Sequence, residues 1–351
     1  MPPASGPPMG AGPYGPYPPV GPTPSSGSGK GKILAIVGGA VAVVLLVVLA
    51  VPLLLWMNGD SEDPRNTAGS GPGGSGASPS AAPMTPPEYQ ALLATVDKSV
   101  GDAFGKLGGA KSPKAVGTAV DGIEAAVEKQ IEALSRVVPP PNAATAHADL
   151  LSALEGLSDS LAETGSAAGA GEVCLGSSAL ARLSRESSAQ DVRAAQQALA
   201  TADPAQSYQV GQFVPKKTSD SNRRLGNGKF LKRNRSGLGE LKIENDGGTD
   251  AVINVVRNGS KSASISVYVR AKGKVTVGGV RDGTYRIYMT GGKDWDGKAK
   301  AFSRDCNFQR FEDSFKFSTT SSQYTIWTIT LTPTAGGNAR TSDVDPGDFP
   351  G

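Results

Sequence analysis

The sequence predicts a multi-domain chain: a single transmembrane helix, an α-helical bundle, then an all-β antiparallel sandwich, with a disordered Pro/Gly-rich N-terminal tail in front. Three observations carry this expectation. The run GKILAIVGGAVAVVLLVVLAVPLLLWMNGD holds no charge from Ile33 to Met57, enough chain to cross a bilayer core. From Pro86 to about Pro204 apolar residues recur at three-to-four spacing, the period of amphipathic helices. From about Gly237 to Pro333 the period falls to two, with turn clusters roughly every eight to twelve residues.

Residues 1–32 are proline- and glycine-rich without apolar periodicity, the composition of a solvated, partly polyproline tail. Lys30 and Lys32 border the apolar run on one side; Asp60, Glu62 and Asp63 follow it on the other. Positive-inside reasoning then places segment 33–57 in the plasma membrane, the N-terminus in the cytoplasm and the C-terminal domains outside it. Residues 58–85 read as a Gly/Ser/Pro linker. GAGPYG at 10–15 and GPGGSG at 71–76 match a dinucleotide fingerprint. Each contains proline, and neither follows a strand or opens a helix, so neither cradles a phosphate.

The helical bundle is expected over 86–205. Prolines open the first helix, whose apolar row is Leu92, Leu93, Val96, Val100, Phe104 and Leu107. Ser112-Pro113 starts a second, with Val116, Val120, Ile123, Val127, Ile131 and Leu134, stopped by Pro139-Pro140-Pro141. A third carries His147, Leu150, Leu151, Leu154, Leu157 and Leu161, and SAQDVRAAQQALATADP is a fourth. Short connections between such helices predict antiparallel packing. His147 is the only histidine, on a leucine-rich helix without a second ligand, which reads as a packed side chain rather than a metal site.

Residues 206–236 read as a basic linker. Lys216, Lys217, Arg223, Arg224, Lys229, Lys232, Arg233 and Arg235 stand against a single acid, Asp220. Such a run is either a solvated connection or a dock for an anionic surface. The β-sandwich is expected over 237–334 and a C-terminal tail over 335–351. Alternation assigns Ile253/Val255, Ile265/Val267/Val269, Tyr285/Ile287/Met289 and Trp327/Ile329/Leu331 to the core. The opposite phase leaves Tyr268, Arg270, Arg286 and Tyr288 off the core face, a candidate aromatic–basic binding patch if their strands are neighbours.

The run VGGVRDGTYRIYM resembles the Gly-x-x-Asp-Gly-Thr-Tyr turn-strand of prealbumin-like, carboxypeptidase-regulatory-type β-sandwiches. Together with FQRFEDSFKF and YTIWTITLTP it is also similar to the C-terminal β-domains of uncharacterised single-pass envelope proteins of high-GC Gram-positive bacteria. The resemblance covers roughly the last 110 residues and implies a non-enzymatic accessory fold.

The chemistry-bearing residues are few. The balance of 35 basic against 32 acidic residues argues against a nucleic-acid partner, and two cysteines exclude zinc clusters. Asp294 and Asp296 form half of a calcium loop whose remaining ligands are absent, so no metal or cofactor is expected. Asp294 with Glu312 or Asp313 is the carboxylate pair that an ecto-hydrolase would use. Cys174 and Cys306, both beyond the apolar run, predict a disulfide between the two folded parts; the alternative is two buried thiols. The expectation is a non-enzymatic, membrane-anchored binding or scaffolding protein of the cell envelope, partnered by a cell-wall polyanion or an envelope protein. A hydrolase acting on cell-wall material and a membrane sensor are the alternatives.

Overall fold

The computed structural model describes residues 82–234, 236–331 and 340–350. Its helices are α1 (Pro86–Gly108), α2 (Pro113–Ser135), α3 (Ala144–Gly169), α4 (Gly176–Leu183) and α5 (Ser187–Ala202). Both α1 and α2 begin on proline, whose fixed φ suits a first turn and whose missing N–H is not needed there. The Glu88 carboxylate accepts from the Thr85 N–H at 3.0 Å, and Ser112 Oγ accepts from the Ala115 N–H at 3.2 Å, so each start is closed by a side chain. Pairs α1–α2, α2–α3 and α3–α5 pack together. Their apolar rows form one core, and the segment after α5 adds Tyr208, Val210 and Phe213 to it. The eight-residue α4 is additional to the four expected helices.

The expected transmembrane helix needs correction. Among the described residues no helix is long and apolar enough to cross a membrane, and segment 33–57 lies outside them. The physical reason is that the described helices are amphipathic: each sets charged or polar side chains on the face away from the core.

The strands are β1 (Phe230–Arg233), β2 (Gly239–Glu244), β3 (Asp250–Arg257), β4 (Ile265–Val269), β5 (Lys274–Val280), β6 (Gly283–Asp296), β7 (Ala301–Phe311), β8 (Phe315–Phe317), β9 (Ile326–Thr330) and β10 (Thr341–Asp343). The large sheet runs β1-β4-β3-β6-β7-β10, with β8 also on β6; the small sheet runs β5-β2-β9. Leu241, Ile243, Val277 and Ile329 of the small sheet meet Ile253, Val255, Ile265, Val267, Tyr285 and Ile287 of the large one. Alternation therefore assigned most core positions correctly.

Two details of the sandwich differ from expectation. It is not wholly antiparallel, because β9 runs parallel to β2, with Leu241 opposite Trp327. Turn residues mark where a strand ends and say nothing of which neighbour the next strand joins. Trp327 is also not a core residue. It is 37% exposed on the outermost strand of the small sheet, where its indole N–H donates to the Lys316 carbonyl at 3.0 Å and its ring stands edge-on to Phe315. An indole with a polar edge finds its acceptor at a rim more readily than in an apolar core.

Helices and sandwich lie within one compact unit, Ala77–Gly351, and touch along a seam. The loop between α3 and α4 runs along β7. Cys174 N–H donates to Ser303 O at 2.9 Å, Asp305 N–H to Glu172 O at 3.2 Å and Cys306 N–H to Gly171 O at 2.8 Å. The Cys174–Cys306 disulfide closes this seam, as the sequence predicted. Gly171, at φ +75°, lies where a Cβ would stand 2.6 Å from the Cys306 carbonyl oxygen. At Gly176 a Cβ would stand 1.7 Å from that of Leu107. Only glycine permits either approach.

Candidate functional site

The outer face of the large sheet, away from the sandwich core, holds the candidate patch. Tyr268 lies opposite Val252, which lies opposite Thr290; in the next row Ser266, Asn254, Tyr288 and Arg310 are in register. Tyr268, Arg286 and Tyr288 thus share one face, as their phase predicted. They do not form an open patch, and that expectation is corrected.

Tyr268 is fully buried. Strands β6 and β7 continue past the sheet as a long hairpin, and Trp295 and Phe302 from it pack on the Tyr268 ring at 5.8 and 5.9 Å. With Val252 these residues make a second small core. The Tyr268 hydroxyl donates to Asp250 Oδ2 at 2.5 Å, and Arg224 grips the same carboxylate with Nε and Nη2. Burial pushes the Tyr268 phenol up, and the Asp250 charge adds to that. Burial alone would raise Asp250 as well, but the hydrogen bonds from Arg224, Tyr268 and the Ala271 N–H outweigh it and hold the carboxyl low.

A second pair sits beside it. Arg223 Nε and Nη2 each donate to Asp294 at 2.8 Å, Arg223 Nη1 reaches Asp296 at 3.0 Å, and Ser303 Oγ donates to Asp294 Oδ2 at 2.6 Å. Burial opposes ionisation of Asp294, yet these donors bring it down to about 2. Asp294 is therefore neither half of a calcium loop nor the proton-carrying member of a carboxylate pair; Glu312 and Asp313 stand exposed beyond β7. Among the described residues no group of three or more His, Cys, Asp or Glu side chains is arranged to hold a metal ion.

The stretch read as a basic linker is a lining. Asp220 is paired with Arg185 at 3.1 Å and Arg304 at 3.2 Å, and Trp295 N–H donates to Arg223 O at 2.8 Å. Arg223 and Arg224 are thus structural cations and not a dock, because buried acids across the chain demand them. Lys216, Lys217 and Lys229 remain exposed. Lys232 and Arg233 lie on the edge strand β1, where charge blocks further strand pairing, and Arg233 stands 4.5 Å over the Phe230 ring. Arg235 lies outside the described residues. Exposed Arg270 donates from Nε to the Leu225 carbonyl at 2.7 Å.

Tyr288 has a different cover. After β10, residues 344–350 cross the outer face as a strap. Val344 N–H donates to Phe308 O at 2.9 Å, the Phe349 ring stands edge-on to Tyr288 at 6.0 Å and to Phe308 at 5.3 Å, and Asn254 Nδ2 donates to the Pro350 carbonyl. Arg286 stays exposed beside it. The sequence marks this stretch only as a tail; the aromatic–proline pair in DFP was the one available signal.

In the helical part, His147 Nδ1 lies 3.0 Å from the Tyr89 hydroxyl. Burial pushes the imidazole below its ordinary pKa, against a hydrogen bond with the Leu134 backbone. It is a satisfied core histidine. No family model matches this chain, and no curated protein or solved structure is detectably similar to it.

Proposed function

We propose that this chain is a non-enzymatic binding or scaffolding module that works in the cell envelope, outside the reducing cytoplasm. The observation that carries the reading is the seam. A disulfide and three backbone hydrogen bonds join the helical part to the sandwich, and a structural disulfide persists where thiols oxidise. Asp294, the acid that the sequence offers for hydrolysis beside Glu312 or Asp313, is consumed in an internal pair with Arg223. A carboxyl held at about 2 donates no proton near neutral pH, which disfavours the hydrolase alternative at Asp294. Exposed side chains open to a partner include Lys216, Lys217 and Lys229 and, at the strap-covered end of the large sheet's outer face, Arg286. A cell-wall polyanion suits the lysines and an envelope protein the sheet face.

Co-sedimentation of the full chain with isolated envelope material, at low and at physiological salt, tests this. Retention that salt removes assigns a polyanion, and salt-resistant retention assigns a protein partner. Release of soluble sugar or peptide fragments during incubation would replace the reading with the hydrolase.

A further inference from the structure

The cradle beneath the strap has the parts of a peptide site. Its wall is the edge of β7, where β10 adds by three registered pairs, Thr341–Phe311, Ser342–Arg310 and Asp343–Gln309. Strand addition of this kind draws affinity from main-chain hydrogen bonds and accepts many sequences. Selectivity comes from the slot that follows. Tyr288 and Phe308 present ring faces and edges that an aromatic side chain fills, as Phe349 does.

Asn254 forms the floor of the slot. It is 4% exposed in the middle of β3 and donates to the Pro350 carbonyl, yet its Oδ1 meets no donor among the described residues. A buried acceptor left open is uncommon in a folded protein and points to a missing ligand group. A donor group of an incoming peptide would supply that partner. Charge favours an acidic occupant: β10 and the strap carry Asp343, Asp345 and Asp348, and Asp345 lines a groove shared with Lys106 and Lys114 of α1 and α2.

We propose that the β7 edge and the Tyr288–Phe308–Asn254 slot form a binding site for an extended acidic peptide bearing an aromatic–proline pair. Residues 340–350 are its resident occupant, which a partner segment of that chemistry displaces. The proposal deepens the binding-module reading by naming a partner class, and rests on that reading for its role in the envelope. The assay below is independent of envelope retention, so either can fail alone.

The test compares the full chain with one lacking residues 340–351, both with the disulfide intact, using a fluorescent peptide RTSDVDPGDFPG as probe. The shortened chain should bind the probe at least about ten-fold more tightly than the full chain, and Tyr288→Ala should remove most of that gain. A folded shortened chain that ignores the probe overturns the proposal. If the shortened chain does not fold, Phe349→Ala in the full chain should take up more probe than the unaltered protein, and equal uptake overturns it. Dimers of the full chain in place of probe uptake, read by light scattering, would also overturn it in favour of strap exchange between copies.

Discussion

Tyr268 and Tyr288 stand on the same face of one sheet, on strands separated only by β3, and they are covered by different means. Over Tyr268 lie two aromatic rings of a hairpin, two carboxylates ionised by bidentate arginines, and a seam closed by a disulfide. Over Tyr288 lies one aromatic ring, a three-pair ladder and a single amide contact from a partly exposed strap. The first cover cannot open without leaving buried charge unpaired, which is costly. The second loses few contacts on opening, the condition for local rather than global unfolding. Identical residue types in the same phase thus become structure at one end and a candidate recognition slot at the other.

The contrast breaks most severely at the seam. Replacing Cys174 and Cys306 with serine releases a restraint spanning 132 residues, worth up to about 5 kcal/mol in the loop-entropy account. Urea unfolding should show that loss; a change below about 1 kcal/mol would mean that the hydrogen bonds alone hold the Tyr268 cover. Next comes Asp294→Ala, which strands Ser303 and the half-exposed Arg223 and should cost roughly 2–3 kcal/mol, at the low end for broken pairs because Arg223 regains water.

The same carboxylate gives a pH signature. Its folded pKa of about 2 lies below the ordinary 3.8, so its contribution is complete above the ordinary value and disappears as pH falls through about 2. That amounts to about 2 kcal/mol. Unfolding measured from pH 6 to pH 2 should decline less in Asp294→Asn, and parallel curves would remove Asp294 as the cause.

Smaller effects sharpen the comparison. Tyr268→Phe takes one donor from Asp250 while Arg224 and the Ala271 N–H remain, an expected loss of about 1–2 kcal/mol in the same unfolding assay. Phe349→Ala should change global stability least, by less than about 1 kcal/mol, since the ring is only half-buried. Its effect should appear in hydrogen exchange, with faster exchange confined to Thr341–Asp343 and Val344 while the amides of β3 and β4 stay protected. Uniform acceleration across the sheet would show that the strap is part of the global fold.

Much of this architecture was legible as period. The rows from Leu93 to Leu107, from Val116 to Leu134 and from Leu150 to Leu161 are buried as their spacing predicts, save the half-buried Ile131 and Leu151, and alternation in INV, ISVYV and YRIYM sorted the sheet faces. The cysteine pair was legible too, because two cysteines admit one intramolecular bond. Less legible were α4, a two-turn helix too short for its period to show, and the direction of β9. The fate of the basic run was not legible at all. Nothing near Arg223 and Arg224 in the chain marks them for pairing, because their partners, Asp294 and Asp250, lie many residues downstream.

By itself the sequence determined most of the residues that turn inward, where α1 and α2 start, and that Tyr268, Arg286 and Tyr288 share a face. Each follows from backbone geometry acting over a few residues, where side-chain direction repeats with a fixed period. The tertiary structure alone decided that Tyr268 would be sealed and Tyr288 only strapped, that a run of cations would neutralise buried acids, and that Asn254 would keep an open acceptor. Those outcomes depend on which distant segment arrives over a given face. Local periodicity carries no information about that, since desolvation and ion pairing are set by whatever surface completes the contact.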